Sequence, residues 1–349
     1  MTDLLAFTAE LVDIPSVSHD EGAITDHLEG LLRPVSWLDV ERVGENLVAR
    51  TAGGGPRLLL AGHTDTVPPN GNEQARLEGD VLWGLGAADM KSGVAVLAEL
   101  ARTIAEPAVA ATYVFYECEE VDFLHNGLDR LFRERPDLLA ADAAVLAEPT
   151  AARVEAGCQG TMRLVATVTG ERAHTARAWL GRNAIHRLGA VLERLAAYEP
   201  RRVVIDGCEF REGLQAVRVE GGVAHNVVPD RAVLTVNHRF APDRSPEQAE
   251  AQVREVVGEV DSLEVAEMAI PAPPSLGHPL LAALVERTGR PPLAKLGWTD
   301  VSRFAAHGVP ATNFGPGDPN LAHHAGERVE RWELEAAFST LRSLLVDGA

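Results

Sequence analysis

Residues 57–68 of the chain read RLLLAGHTDTVP, and they give the first indication of the fold class. Its apolar run, 57–61, is short and continuous, as is typical of a strand that is buried on both faces in a parallel sheet. His63 and Asp65 follow at the point where that strand should end. In open α/β sheets, ligands bind outside the carboxyl ends of the strands, so this pair indicates a functional site. Alone the pair is a weak signal, because H-x-D is more often an exposed polar turn.

The same pattern recurs along the first half of the chain. Apolar runs at 111–116 (ATYVFY) and 142–147 (DAAVLA) are each followed by acidic residues, and 92–105 has the apolar spacing of a helix. A strand-like run at 309–314 precedes two histidines. The alternation of strands and helices predicts a doubly wound α/β sheet. The polar residues expected to converge on one rim of this sheet are His63, Asp65, Asp89, Glu119, Glu120, Glu148 and His323.

Residues 161–270 follow a different order, in which two strands are adjacent in sequence. The predicted elements are a strand at 161–169, a helix at 182–197, strands at 214–220 and 231–239, a helix at 245–260 and a strand at 263–269. This β-α-β-β-α-β order is that of a ferredoxin-like unit. We therefore expect a catalytic domain formed by 1–160 and 271–349, with residues 161–270 as an inserted domain.

The composition excludes several classes of function. With 51 acidic and 32 basic residues, the formal charge is −19. No basic cluster of the kind that binds a phosphate backbone is present, so we expect neither nucleic acid nor a membrane as partner. No apolar run approaches a membrane span, and the N-terminus lacks the features of a signal peptide. Three widely spaced cysteines without a C-x-x-C pair favour a reducing compartment, and we expect a cytoplasmic protein.

Six motifs are spread over nearly the whole chain: G-H-T-D-T-V-P at 62–68, D-M-K at 89–91, E-E at 119–120, E-P at 148–149, N-V-V-P-D at 226–230 and H-x-x-x-E at 323–327. Together they resemble the motifs of the co-catalytic zinc amidohydrolases and exopeptidases, a family that includes desuccinylases, deacetylases, aminoacylases and carboxypeptidases. The inserted unit resembles the family's lid and dimerisation domain. The resemblance implies a zinc-exopeptidase-like catalytic domain and a homodimer that is paired through the lid.

The resemblance also implies a set of metal ligands. Asp89 would bridge two zinc ions, for which cobalt can substitute. His63 and Glu148 would complete one site, and Glu120 and His323 the other. One shared carboxylate and two further ligands per zinc leave coordination positions open, as a catalytic zinc site requires.

Three further residues are expected to serve catalysis. Glu119 resembles the family's general base, which takes a proton from the attacking water and delivers it to the leaving amine. Asp65 would fix the imidazole of His63 and make it a better ligand. His174, in G-E-R-A-H-T-A, resembles the lid histidine that stabilises the oxyanion, often in the other subunit. An ordinary surface histidine is the alternative for His174.

The segments 155–161 (EAGCQGT) and 295–300 (KLGWTD) are most similar to the actinobacterial succinyl-diaminopimelate desuccinylase branch of the family. The expected substrate is therefore a small anionic N-acyl amino acid, N-succinyl-LL-2,6-diaminopimelate. Arg239 matches the family's substrate-carboxylate arginine and could clamp a carboxylate with two hydrogen bonds. A surface arginine at a strand end is the alternative. Asn226 and Thr299 are the other candidate substrate-binding residues.

Two other functions stay open. An acetylornithine deacetylase, or another N-acyl-amino-acid hydrolase or carboxypeptidase, would keep every metal ligand and change only the pocket. A catalytically inactive, metal-stabilised binding protein would have no need of Glu119, which argues against it. The chain departs from the family pattern at Leu85 and Ser92 and in C-E-E-V-D-F-L-H-N-G at 118–127. His125 and His324 are expected to be exposed surface residues.

Overall fold

The structure, a computed structural model, describes residues 2–349. It contains two compact units. The first unit comprises the chain up to Gly157 together with Pro274–Leu293 and Asp300–Ala349. The second unit comprises Cys158–Pro273 and the short segment Ala294–Thr299.

The helices and strands fall into three groups along the chain. The first part of the chain forms α1 (Leu4–Val12), α2 (Gly22–Leu32), β1 (Leu38–Val43), β2 (Asn46–Thr51), β3 (Arg57–His63), β4 (Arg76–Glu78), β5 (Val81–Trp83), α3 (Lys91–Thr103), β6 (Ala110–Tyr116), α4 (Gly127–Glu134), β7 (Ala143–Leu146) and β8 (Glu155–Ala156). The middle part forms β9 (Gly160–Thr169), α5 (Ala184–Ala196), β10 (Arg202–Ile205), β11 (Cys208–Arg211), β12 (Gly213–Gly221), β13 (Arg231–Phe240), α6 (Pro246–Val257) and β14 (Ser262–Ala269). The last part forms α7 (Pro279–Thr288), β15 (Leu293–Ala294), α8 (Val301–Ala306), β16 (Ala311–Asn313), β17 (Arg328–Glu330) and α9 (Arg331–Asp347). Within residues 2–349, no helix has the length and apolar character needed to cross a membrane.

The central sheet of the first unit has the strand order β1-β2-β6-β3-β7-β16-β8-β15. Its middle strands β6, β3, β7 and β16 run parallel, whereas β1, β2 and β8 pair in antiparallel fashion. Strands β6 and β7 are buried along their whole length, as parallel strands are when both faces of their sheet are covered. The predicted α/β class is confirmed. The sheet is mixed because antiparallel strands extend it at both sides, namely β1 and β2 at one side and β8 at the other.

Two glycines let helix α3 approach the strand ends. A Cβ atom on Gly93 would lie 2.2 Å from the carbonyl oxygen of Ala147, and one on Gly62 would lie 2.9 Å from Cε of Met90. Both distances are too short for any larger residue without a shift of the neighbouring atoms. The start of α3 therefore sits directly against the ends of β3 and β7, which carry the residues of the candidate site.

The second unit contains the antiparallel sheet β12-β13-β9-β14. Helices α5 and α6 bury one apolar stripe each in the core that they share with this sheet, including Leu188 and Val253. The chain order β9-α5-β12-β13-α6-β14 confirms the expected ferredoxin-like fold. The hairpin β10–β11 was not expected. Helix α6 ends at Val257, three residues before the predicted end, because Gly258 has a φ of 67° and leaves the helical conformation.

Candidate active site

The first cluster of the site joins three neighbouring strand and helix ends. His63 is the last residue of β3, Asp89 lies just before α3, and Glu148 follows β7. Ligand atoms of these three residues all lie within 4.8 Å of one another. Nε2 of His63 is 3.2 Å from Oδ1 of Asp89. His63 and Glu148 are buried.

The second cluster contains Asp89, Glu120 and His323, again with ligand atoms within 4.8 Å of one another. Nε2 of His323 lies 2.8 Å from Oε1 of Glu120 and 3.6 Å from Oδ2 of Asp89. Asp89 therefore directs one carboxylate oxygen towards His63 and the other towards His323. A carboxylate that is shared between two metal sites needs this arrangement.

The donor sets fit two zinc-like cations. Each cluster offers one imidazole nitrogen and carboxylate oxygens, which are ligands that zinc accepts. Burial opposes the protonation of His63. The carboxylates of Asp65 and Asp89 outweigh the effect of burial, so the pKa of His63 is raised. The hydrogen bond with Glu120 raises the pKa of His323 to about 9, although partial burial opposes this. Without a cation, protons on the imidazoles balance the crowded carboxylates, and a bound dication would replace them.

Asp65 organises this rim from a buried position. Its Oδ1 accepts the backbone N–H of Glu119, and its Oδ2 accepts that of Glu120, both at 3.0 Å. Oδ2 also accepts the hydroxyl of Ser18 at 2.7 Å. Nδ1 of His63 is 3.4 Å from Oδ1 of Asp65 and 3.0 Å from its backbone carbonyl oxygen. Asp65 thus contacts the imidazole with both its carboxylate and its backbone.

Glu119 lies beside His63 and Glu120, with ligand atoms of the three residues within 4.8 Å of one another. Desolvation raises the pKa of Glu119 well above its ordinary value. His63 opposes this, and the charges of Glu148 and Asp300 raise the pKa further. A carboxyl group with a raised pKa can accept a proton and hold it at neutral pH, as a proton carrier in hydrolysis must.

Two residues of the site were not predicted. Oε1 of Glu327 accepts the backbone N–H groups of Ala88 and Asp89, both at 2.9 Å, and so holds the loop that carries Asp89. Its place in H-x-x-x-E was a signal that could have indicated this role. Ser18 contacts Asp65 from 47 residues away, and nothing in the sequence around Ser18 indicates that contact.

His174 and Asn226 lie on neighbouring segments of the second unit. The backbone N–H of Thr175 donates to the carbonyl oxygen of Asn226 at 3.0 Å. His174 is exposed and caps the short helical turn Thr175–Leu180, where its Nδ1 accepts the N–H of Ala176 at 3.0 Å. Because Nδ1 is an acceptor, the proton of the neutral imidazole lies on Nε2. The side chain can therefore donate a hydrogen bond from Nε2.

Arg239 and Thr299 lie elsewhere in the second unit, close to Cys158. The buried Thr299 has a carbonyl oxygen 3.7 Å from Sγ of Cys158. Burial lowers the pKa of Arg239, while Glu267 and Cys158 oppose this. The candidate substrate residues thus fall in two places: Asn226 lies beside the predicted catalytic residue His174, and Arg239 and Thr299 both lie near Cys158.

An α/β sheet whose strand ends carry two histidine–carboxylate clusters is typical of a metal-dependent hydrolase. Residues 59–347 match peptidase family M20/M25/M40, and the chain belongs to this family. The family resemblance predicted from the motifs is therefore confirmed.

Two curated relatives extend over nearly the full chain. A Mycobacterium tuberculosis (strain H37Rv) protein that is provisionally named succinyl-diaminopimelate desuccinylase is 56% identical over 346 residues, which cover 98% of each chain. The succinyl-diaminopimelate desuccinylase of Corynebacterium glutamicum is 45% identical over 98% of this chain and 96% of its own.

Among solved structures, aminopeptidase PepT from Bacillus cereus superposes with a TM-score of 0.80 at 22% identity, covering 98% of this chain and 97% of its own. A Staphylococcus aureus tripeptidase gives a TM-score of 0.78, also at 22% identity, covering 98% and 97%. These two likenesses support the fold.

Proposed function

We propose that the protein hydrolyses N-succinyl-LL-2,6-diaminopimelate to succinate and LL-diaminopimelate with two zinc ions. The main support for two metal ions is the position of Asp89, whose two carboxylate oxygens face His63 and His323. The 45% identity to the Corynebacterium glutamicum desuccinylase over nearly the full chain supports the substrate. His63, Asp89 and Glu148 would hold one ion, and Asp89, Glu120 and His323 the other.

Zinc bound at these clusters would supply Lewis-acid chemistry, namely polarisation of the scissile carbonyl and acidification of the attacking water. Glu119 takes the proton from that water while the water oxygen bonds to the carbonyl carbon. When the C–N bond breaks, Glu119 gives the proton to the amine nitrogen. Asp65 keeps the imidazole of His63 and the backbone of Glu119 in place. His174, with its proton on Nε2, donates a hydrogen bond to the oxyanion.

For the substrate we propose that Arg239 binds a carboxylate, with Asn226 and Thr299 as further contacts. Partial burial of the guanidinium favours this role, because a partly desolvated cation gains more from an anionic partner than a fully exposed one. A succinyl group ends in a carboxylate, whereas an acetyl group does not.

We also propose a homodimer through the second unit. Strand β12 lies at the edge of its sheet, and its outer residues are largely exposed. Val217 is 57% exposed, and Val223, just beyond the strand, is 60% exposed. Unpaired edge strands with apolar side chains tend to associate with other chains. A second copy could cover this edge about a twofold axis. The three free cysteines support a reducing compartment, and we propose the cytoplasm.

The substrate assignment is tested by measuring kcat/KM on N-succinyl-LL-2,6-diaminopimelate, N-acetylornithine and other N-acyl amino acids, with added zinc. We expect kcat/KM for the succinyl substrate to exceed that for the acetyl substrate by about 100-fold or more, since an acetyl group lacks the terminal carboxylate that the partly buried guanidinium of Arg239 would bind. A preference for N-acetylornithine would favour the deacetylase. Absence of turnover on every substrate would favour a binding protein.

Metal removal tests the rest of the proposal. We expect chelation to abolish hydrolysis and zinc or cobalt to restore it, because both clusters then regain their cations. Elemental analysis should show two ions per chain in the active protein. Unchanged turnover in protein that elemental analysis shows to be metal-free would contradict the mechanism.

A further inference from the structure

Glu119 and Glu120 lie in residues 117–127, which we call the glutamate loop. The two ends of this loop meet, because the backbone N–H of Gly127 donates to the carbonyl oxygen of Glu117 at 2.9 Å. A Cβ atom on Gly127 would lie 2.8 Å from the backbone nitrogen of Glu117, which is too close for any larger residue without a shift. Between the glutamates and the end of the loop, residues 121–125 are half-buried or exposed. A few contacts must therefore fix the positions of the two glutamates.

Asn126, near the end of the glutamate loop, is buried and uses both polar atoms of its side chain. Its Oδ1 accepts the backbone N–H groups of Leu128 and Asp129, at 3.0 and 3.2 Å, and so caps helix α4. Its Nδ2 donates to Oδ2 of Asp300 at 2.8 Å. Capping of the helix needs only the oxygen. The bond to Asp300 is therefore a second function of this side chain.

Asp300 is a fully buried carboxylate that lies 174 residues further along the chain. Its other oxygen, Oδ1, accepts Nε of Arg303 at 2.6 Å. Arg303 in turn donates from Nη1 to Oδ1 of Asp129 at 3.0 Å, and its guanidinium carbon lies 5.7 Å from the ring centroid of Phe123. A buried carboxylate is costly unless hydrogen bonds and a counter-charge compensate it. Here both of its oxygens have partners, and these partners lie in the glutamate loop or contact it.

We propose that Asp300 and Asn126 are positioning residues of the hydrolysis. This inference rests on the roles that Glu119 and Glu120 have in the proposed function. Asp65 fixes the first half of the glutamate loop by accepting the N–H groups of both glutamates. The buried bond from Asn126 to Asp300 fixes the second half. The proton carrier and the metal ligand between these two attachments are thereby held in their working positions.

An exchange of the two side chains tests the bond. Asn126→Asp keeps the cap of α4, because asparagine and aspartate cap equally well, but it places a second carboxylate against Asp300. Asp300→Asn leaves one oxygen to serve two donors, the amide of Asn126 and Nε of Arg303. In the double variant, the amide at position 300 can donate to the carboxylate at position 126, and its oxygen can still accept Arg303. The hydrogen bond is then restored in the reverse direction.

The first measurement is kcat of the zinc-saturated proteins on N-succinyl-LL-2,6-diaminopimelate. We expect each single variant to lower kcat by about 10- to 100-fold, because residues that orient a ligand or a reacting group typically have effects of this size. KM should change little, since neither residue is proposed to contact the substrate. The double variant should recover most of the lost kcat.

Asn183→Asp is the matched control and should keep the wild-type kcat. Asn183 caps α5 of the second unit with the same pair of bonds, to the N–H groups of Ile185 and His186 at 2.9 and 3.2 Å. Unchanged kcat in both single variants would overturn the proposal, even if their free energy of unfolding is lower, since that is the result of a purely structural bond. A double variant no more active than the single variants would also overturn it. If a single variant fails to fold, the double variant still decides.

Hydrogen exchange of the metal-free proteins, followed by mass spectrometry, tests the attachment without activity. The backbone N–H groups of Glu119, Glu120 and Gly127 are hydrogen-bonded, so opening of the glutamate loop exposes them to exchange. Peptides that cover 117–127 should exchange about 10-fold faster in the single variants and at the wild-type rate in the double variant. Equal rates in all four proteins would contradict the inference. Normal exchange behaviour without any turnover by the wild type would contradict the proposed function instead.

Discussion

Asp65 gives two adjacent glutamates different places in the site. Its oxygens accept the backbone N–H groups of Glu119 and Glu120, which fixes both peptide units. The side chain of Glu120 then contacts His323, whereas Glu119 lies beside His63. The proposed division into a metal ligand and a proton carrier thus depends on hydrogen bonds to a third residue.

We expect Glu119→Gln to retain both zinc ions and to lower kcat by about 100- to 10,000-fold, the usual contribution of a positioned acid–base group. The amide has nearly the same shape and keeps its backbone bond to Asp65, but it cannot carry the proton. Steady-state kinetics and elemental analysis on the same sample check this. Glu335→Gln, at an exposed position of α9, is the control. A near-normal kcat in Glu119→Gln would mean that another residue is the base.

The residues that follow predicted strands could be identified from the sequence because strand ends in a parallel sheet meet at one rim. His63 and Glu148, which follow β3 and β7, are close together as that rule requires, and Asp89, just before α3, lies with them. Ser18 could not be identified, since a serine hydroxyl bonds to many partners and its position is set by long-range packing. Glu327 could have been, because it lies four residues after His323.

Helix α3 shows how one element positions part of the site. Gly93 allows its first turn to approach the carbonyl oxygen of Ala147, the residue before Glu148. Any side chain at Gly93 forces α3 away from β7, and Asp89 just before α3 must move with it. The spacing between Asp89 and Glu148 therefore depends on the absence of a single methyl group.

We expect Gly93→Ala to destabilise the first unit by about 1–3 kcal/mol, the usual cost of overpacking, and to weaken zinc binding. Urea unfolding and competition with a chelator measure the two effects. Gly30→Ala in α2 is the matched control, because nothing lies within 4 Å of its added Cβ atom. That variant should be up to about 1 kcal/mol more stable, since alanine is the better helix former. Equal free energies of unfolding for the two variants would show that α3 accommodates the added methyl group without a loss of stability.

Strand β13 carries a buried histidine in the second unit. Burial lowers the pKa of His238. The carbonyl of Gly213 and the charge of Glu212 oppose this decrease, whereas the charges of Arg244 and Arg201 lower the pKa further. The folded unit therefore favours the neutral imidazole. As pH falls below the unfolded pKa of about 6.5, the unfolded chain binds a proton that the folded unit does not, and stability is lost.

Accordingly, the urea midpoint of the second unit should fall between about pH 7.5 and pH 5.5 more in the wild type than in His238→Asn. Asparagine can still donate a hydrogen bond to Gly213 but does not titrate. Each protein is compared with itself at the two pH values, so a lower starting stability of the variant does not affect the result. Equal shifts would show that His238 does not contribute.

Short elements were the hardest to predict. The hairpin β10–β11 consists of strands of only four residues, so the alternation of buried and exposed side chains in β11 is too short to stand out in the sequence. Strands β4 and β17 have three residues each, and both pair with β5, which lies between them in the sheet. Long elements with one buried face, such as β9 and α5, were predicted because their alternation extends over many residues.

For the whole molecule, the proposed dimer and the proposed role of His174 are tested together. His174→Ala should lower kcat by about 100- to 1,000-fold with zinc content unchanged, because a preorganised donor to the oxyanion is lost. If the histidine acts on the partner's site, mixing His174→Ala with Glu119→Gln should restore activity, since some sites then combine an intact base with a donated histidine. If the subunits exchange and no activity returns, His174 does not act on the partner's site.

The first unit is assembled from segments on both sides of the second in sequence. Strand β16 pairs with β7, although the whole ferredoxin-like unit lies between these two strands in the chain. More than half of the residues of the first unit precede β16. His323 follows β16, while the other four proposed ligands precede residue 150. A chain emerging from the ribosome can therefore fold its ferredoxin-like unit before the shared metal centre exists. If His323 is a metal ligand as proposed, we expect hydrolytic activity to appear only after translation has passed this residue.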